Sequence, residues 1–518
     1  MFSFGKKAPA PLSIDEELDR IGAGRFHVFT LVACSLTSAS QSIILNLLPL
    51  LQPCAGYALG RTAPADAAST STAAFVVACV AAPLIALASD AYGRRPATLA
   101  PALVLAAAFG VAVTAPTYIS LSVLIAIGSV GMGAPMVPLC LAAELCPPKS
   151  RGALLNVINW VWSAATVLVI GMGWLFVGSG AVGGDVDLGW RALLATSTAP
   201  LALGACLACC VSESPHWLEA NGRHREAEAV LRRIARENDA PWNRPIPTGG
   251  LEDKMTVAGG GGLWHRRGGC GELLRAFFGN GRWRRVVVHW TLWLSGSFGW
   301  AGLLYFHSHV LQREDGRVSA ALVATSTTSL AAQPLSSGCA FDFGRLMTVG
   351  ASELVGVALL QLIIDRPMGP KGLLGGRRGS QASGYFLASL FGFLMAFELG
   401  PVGVVVMGVL SRALITTANS AMTIAAPELY ATETRTVGIN IAFALNLLGS
   451  APASEWVASK FSPLATAALL SFANVVAGCC ALALPETAGR KLTDVDVGEA
   501  APAAGATKGA DYGALPRR

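Results

Sequence analysis

Apolar runs of about 20 residues recur along this chain, each long enough to cross a bilayer core as a helix. Inside lipid only helices and closed barrels satisfy their own backbone, and these runs lack the alternation of barrel strands. Charged residues make up 14% of the chain, hydrophobic residues 53%, and mean hydropathy is +0.53. Soluble domains carry roughly 25% charge, so the expected fold is an all-α membrane protein. The net charge of +6 lies mostly between the runs, which reads as membrane topology and argues against nucleic acid as a partner.

The runs fall at about 28–51, 67–88, 97–114, 119–143, 153–177 and 190–211 in the first half. The second half holds about 286–310, 346–364, 385–397, 401–425, 437–457 and 465–484. The expected organisation is an N-terminal segment (1–27), a six-helix bundle (28–211), a central loop with short helices (212–285), a second six-helix bundle (286–484) and a tail (485–518). Ser13 followed by Glu16 predicts a short capped helix before the first span. Residues 312–344 read as a polar external loop. Lys6, Lys7, Arg20 and Arg25 precede the first span, and basic residues cluster again after the second, fourth, sixth, eighth and tenth. The positive-inside rule then places both termini and the central loop in the cytoplasm.

One stretch is nearly said twice. Glu144-Leu145 and Glu428-Leu429 each follow an apolar run, and each is answered by an arginine at the same offset, Arg151 and Arg435. Upstream of the first lies Asp90 with Gly93-Arg94-Arg95; upstream of the second lies Asp365-Arg366. Glu213 and Glu486 close the two halves. Recurrence of this kind in an apolar chain indicates a duplicated bundle, a feature of secondary transporters. Loop anchoring alone would explain the basic residues, but not glutamates at matched offsets.

Residues 86–95, Glu213-Ser214-Pro215, Pro485-Glu486-Thr487, residues 15–26 and residues 427–438 together resemble motifs of the major facilitator superfamily. The nearest branch is the one holding the synaptic-vesicle-2-related proteins and the organic cation and anion transporters. The resemblance implies two pseudo-symmetric six-helix bundles and alternating access. It also implies a cytoplasmic gate made from Asp90, Gly93, Arg94, Arg95, Glu144, Arg151, Glu213, Asp365, Arg366, Glu428, Arg435 and Glu486. Such clusters tie the bundles together on the inner side and must break when the cavity faces inward.

Ionisable groups inside spans are functional candidates by default. Glu353 and Arg412 carry the strongest case, because a buried charge without a partner is costly. Gln41, Asn159, Asn419 and Asn446 add hydrogen-bonding capacity, with helix–helix adhesion as the competing reading. Trp160, Trp300 and Tyr305 could wall a cavity, against an interfacial role. Family members often carry an arginine in the fourth span where Ile125 stands, and close relatives carry acids near Ser38 and Gln41. The cavity is therefore expected to be less charged than in organic cation carriers, and its charge to be handled by the second bundle.

The leading expectation is a secondary active or facilitative transporter of a small organic solute, an organic ion or sugar-like molecule, in a plasma or vesicle membrane. The expected partners are that solute, the bilayer and a coupling ion, with the chain acting as a monomer. The alternative is a transporter-like receptor that binds without turnover. No nucleotide-binding loop, catalytic triad, cofactor motif or metal-ligand spacing is apparent. Of the 12 cysteines, most lie inside apolar runs. Cys54 and Cys339 fall in external segments where a bridge could form, although two unrelated thiols is the preferred reading.

Overall fold

The computed structural model describes residues 13–61, 64–179, 184–242, 277–279, 282–325, 341, 343–368, 374–397, 399–430, 434–458 and 462–489. A short amphipathic helix, α1 (Ile14–Ile21), precedes the membrane. Its N-terminus has the predicted capping box: Ser13 and Glu16 each take the other's backbone N–H, satisfying two otherwise orphaned donors. Then follow α2 (Arg25–Ala58), α3 (Pro64–Tyr92), α4 (Arg94–Ala112), and α5 (Tyr118–Met132) with α6 (Met136–Leu145). The last two form one span, interrupted at Gly133-Ala134-Pro135, where proline removes a helical donor. The first half closes with α7 (Arg151–Gly173) and α8 (Val186–Ala208).

Two amphipathic helices outside the bundle, α9 (Pro215–Ala220) and α10 (His224–Glu237), begin the central segment. The second half comprises α11 (Trp283–Thr325), α12 (Phe343–Ile363), α13 (Gly376–Leu394), α14 (Gly400–Ala425), α15 (Arg435–Ala458) and α16 (Pro463–Ala483). Counting α5 and α6 together, the described residues hold twelve helices of membrane-crossing length in two sets of six. Nine of the described spans also meet a strict hydropathy criterion. Many apolar side chains, among them Val402, Leu362 and Phe472, point outward, as lipid-facing surfaces require.

Two boundaries differ from expectation. Helix α11 continues to Thr325, through what the polar composition of 312–344 marked as loop. Helix α13 starts at Gly376, nine residues before the apolar run, because its first turns carry Arg377 and Gln381 into the protein interior. Within the halves α2 packs on α7 and α8, and α11 on α15 and α16. Between them α7 meets α12 and α3 meets α15 along most of the seam, and α6 meets α15 at one end. Cys54 is disulfide-bonded, which corrects the preference for unrelated thiols; Cys339 lies outside the described residues.

Candidate functional site

At one end of the seam the duplicated motifs fold into two copies of one arrangement. Gly93 has φ +114°, a backbone that L side chains rarely adopt, and Gly376 has φ +66°. Each opens a helix and leaves room for a carboxylate directly over the first turn: a Cβ at Gly93 would collide with Glu213, and one at Gly376 with Glu486. Glu213 accepts from the backbone N–H of Arg94 at 2.9 Å and of Arg95 at 3.1 Å. Glu486 accepts from Arg377 at 3.0 Å and Arg378 at 3.1 Å. Both acids thus satisfy the orphan donors and favourable dipole of a helix start. Burial pushes the Glu213 carboxyl above the usual range, partly offset by these N–H bonds.

The arginines that follow are interior. Arg94, Arg151, Arg377 and Arg435 are at most 1% exposed, so they are not solvated loop anchors. Within the first half Arg94 pairs with Asp90 at 2.7 Å and reaches Glu144 at 3.5 Å. Within the second half Arg377 grips Glu428 with both Nε and Nη2, at 3.0 and 2.9 Å, and pairs with Asp365 at 2.5 Å. The fork geometry suits a bidentate carboxylate contact that lysine could not reproduce. Thr487 Oγ1 donates to the same Glu428 at 2.6 Å. Arg95 is exposed, donating from Nη2 to the Cys209 carbonyl at 2.5 Å.

Among the described residues, several links cross between the halves at this end. Arg435 binds Glu144 at 2.6 Å, both fully buried. Arg151 lies 4.0 Å from Glu428. Asp365 accepts from the N–H of Gly152 at 3.2 Å and of Ala153 at 2.6 Å, capping α7 from the other bundle. One layer deeper, Asn156 donates to the Val357 carbonyl at 3.1 Å and to Gln361 at 2.9 Å. Several crossing groups therefore also hold a partner within their own half.

Three participants escaped the sequence reading. Arg377, taken for a loop cation, fills the role assigned to Arg366, which is exposed and bonded to none of the described side chains. The signal was present: Gly376-Arg377-Arg378 repeats Gly93-Arg94-Arg95, displaced from Asp365 by a longer loop. Asp15 of α1 is fully buried and meets Arg151 at 3.1 Å and His216 at 3.4 Å. Asn238, after α10, donates to the Gly22 carbonyl and accepts from Phe26 N–H, holding the N-terminal segment against the central one.

The cavity candidates gather less completely. Arg412 on α14, Glu353 on α12 and Trp300 on α11 do meet: Arg412 Nη2 bonds the Glu353 carboxylate, and its guanidinium lies 4.6 Å from the Trp300 ring centroid. Both charged groups are 3% exposed. Asn419 accepts from Tyr385 Oη at 2.6 Å. Asn159 donates to Asn156 at 3.2 Å, which ties it to the seam rather than to Arg412. Gln41 is buried on α2, while Trp160 and Asn446 are half-buried; no described side-chain hydrogen bond joins them to the Arg412 cluster. The side chain of Tyr305 lies outside the described residues. Ile125 is fully buried in α5, so the first half offers no charge at that point.

Two duplicated six-helix halves, joined by buried charges at one end, define a carrier of the major facilitator type. The chain belongs to the sugar (and other) transporter family, whose description matches residues 57–498. It is 27% identical over 491 residues to the synaptic vesicle 2-related protein of Pongo abelii, covering 93% of this chain and 82% of that protein. It is 25% identical over 508 residues to organic cation/carnitine transporter 7 of Arabidopsis thaliana, covering 93% and 96%. Its fold is similar to that of the proton:xylose symporter XylE (TM-score 0.66, 17% identity, 91% and 98% covered). The human organic anion transporter MFSD10 is also similar (TM-score 0.58, 14% identity, 91% and 100% covered). The protein is a multi-pass membrane transporter.

Proposed function

We propose that the chain moves a small organic solute by alternating access, with the buried charge network serving as the inner gate. The carrying observation is the paired set Glu144–Arg435 and Arg151–Glu428, made from the same offsets in both halves and spanning the seam. Breaking a buried pair is costly when a partner is stranded, so such links bias which side of the cavity is closed. Solute would bind midway along the helices, between the bundles. The basic flanks support cytoplasmic termini and an outward-facing state when the network is intact. A vesicle or plasma membrane location agrees with relatives named for synaptic vesicles. We read the chain as a monomeric carrier without a catalytic step.

Uptake by the purified chain in liposomes tests this. Flux of a sugar, an organic cation or an organic anion, lost in Arg377→Ala, is expected. Specific binding without flux across all three classes would sink the reading and favour a receptor.

A further inference from the structure

The Arg412 cluster sits at the centre of its helices. Arg412 is the thirteenth of 26 residues in α14, and Glu353 the eleventh of 21 in α12. From Arg412 to Glu428 at the network end is sixteen residues, roughly 24 Å of helix. The guanidinium is 3% exposed, yet only Nη2 has an acceptor; Nε and Nη1 are buried with none. Orphaned donors on a buried cation are rare and call for an explanation. Trp300, half-buried, covers the guanidinium with an aromatic face. Each vacant nitrogen shares one edge of the guanidinium with Nη2, so a carboxylate that displaces Glu353 from Nη2 meets a complete fork beside an aromatic wall, a match for an organic carboxylate with an apolar body.

Charge accounting then fixes a second ligand. If a solute carboxylate takes the arginine, Glu353 loses its cation in a low-dielectric site, where an unpaired carboxylate is costly. The elements packed around it supply no substitute at that depth among the described residues. Helix α14 offers only Arg412; α7 has Arg151 at its network end; α13 has Tyr385, with Arg377 and Arg378 at that end; α11 has His289 and Trp283-flanking arginines there; the side chains of Arg345 on α12 and of His307, His309, Arg313 and Arg317 on α11 lie outside the described residues. A proton on Glu353 restores neutrality.

Resting on the transport reading above, we propose that Arg412, Glu353 and Trp300 form the binding and coupling centre for an organic monocarboxylate carried with one proton. The Arg412–Glu353 ion pair is exchanged for an Arg412–carboxylate pair, and a Glu353 oxygen gains an O–H bond. No covalent bond of the solute changes, and the net charge moved is zero.

The test uses the full chain in proteoliposomes with three labelled probes: hippurate, tetraethylammonium and glucose. Hippurate uptake is expected, accelerated by an acidic exterior and indifferent to a potassium-diffusion potential. In Glu353→Gln, a neutral stand-in for the protonated acid, acceleration by the pH gradient disappears. Hippurate exchange persists, and hippurate binds roughly tenfold tighter because the competing carboxylate is gone. Arg412→Lys keeps the charge and loses the fork, weakening hippurate binding about tenfold, and serves if Arg412→Ala does not fold. Wild-type uptake of tetraethylammonium or glucose but not hippurate overturns the carboxylate assignment and leaves transport standing. Hippurate uptake with the same pH response in Glu353→Gln overturns the coupling. Flux of none of the three overturns the transport reading and this inference with it.

Discussion

Replacing Arg435 by alanine isolates the strongest crossing link. In the closed seam Arg435 and Glu144 are both fully buried and 2.6 Å apart. Removing one member of a buried pair costs about 3–5 kcal/mol, mostly from the charge left behind. Glu144 is not wholly abandoned, because Arg94 Nε remains at 3.5 Å within its own half. The lower figure, about 3 kcal/mol, is therefore the one to use. If the link exists only when the seam is closed, the loss falls on that state alone. At 1.4 kcal/mol per decade, the closed-to-open ratio drops roughly a hundredfold. Spin labels at Lys149 and Arg366 report it: both are exposed, they lie on opposite halves, and both flank the network. Serine at the exposed Cys206, Cys209, Cys210 and Cys479 and at the half-buried Cys79 and Cys480 removes the accessible free thiols among the described residues. The expected result is a shift of the distance distribution toward longer separations in Arg435→Ala. An unaltered distribution in a folded variant would falsify the gate.

Asp15→Asn provides a contrast: Asp15 stays with Arg151 in the first half whichever way the seam moves, so melting temperature should fall while the label distances hold. Gly376→Ala adds a Cβ against Glu486 at a positive φ, which costs about 1–3 kcal/mol and should lower thermal stability; an unchanged melt would show that the carboxylate relocates freely. For Glu213, burial raises the folded-state carboxyl above its unfolded value, so the folded chain holds that proton more tightly. Its contribution to stability grows as pH falls through the raised value, and the melting gap between wild type and Glu213→Gln should move in favour of wild type from alkaline to mildly acidic pH.

The twelve spans were legible because lipid demands long apolar helices, and that demand is written residue by residue. Glu144, Arg151, Glu428 and Arg435 were legible because both halves keep the same offset between a helix end and the next helix start. Arg377 was not, because the α12–α13 loop is longer than its counterpart and adjacency to Asp365 selected Arg366 instead. Asp15 was invisible for a different reason: its partner Arg151 is 136 residues away and no periodicity links them. The split of the polar candidates between the seam and the Arg412 cluster depends on helix rotation, and single polar residues in apolar runs carry no rotational phase.

The double pairing of the charges has a kinetic side. Glu144 also faces Arg94, Glu428 also pairs with Arg377, and Arg151 also pairs with Asp15, each within its own half, and in the proposed gate these partners would remain when the halves separate. Stranding even two of these ions would raise the barrier to opening by about 6–10 kcal/mol, slowing each cycle by roughly four to seven powers of ten. In the proposed gate, counterions that travel with their own bundle would hold that barrier down, so charges able to lock the seam need not prevent it from cycling.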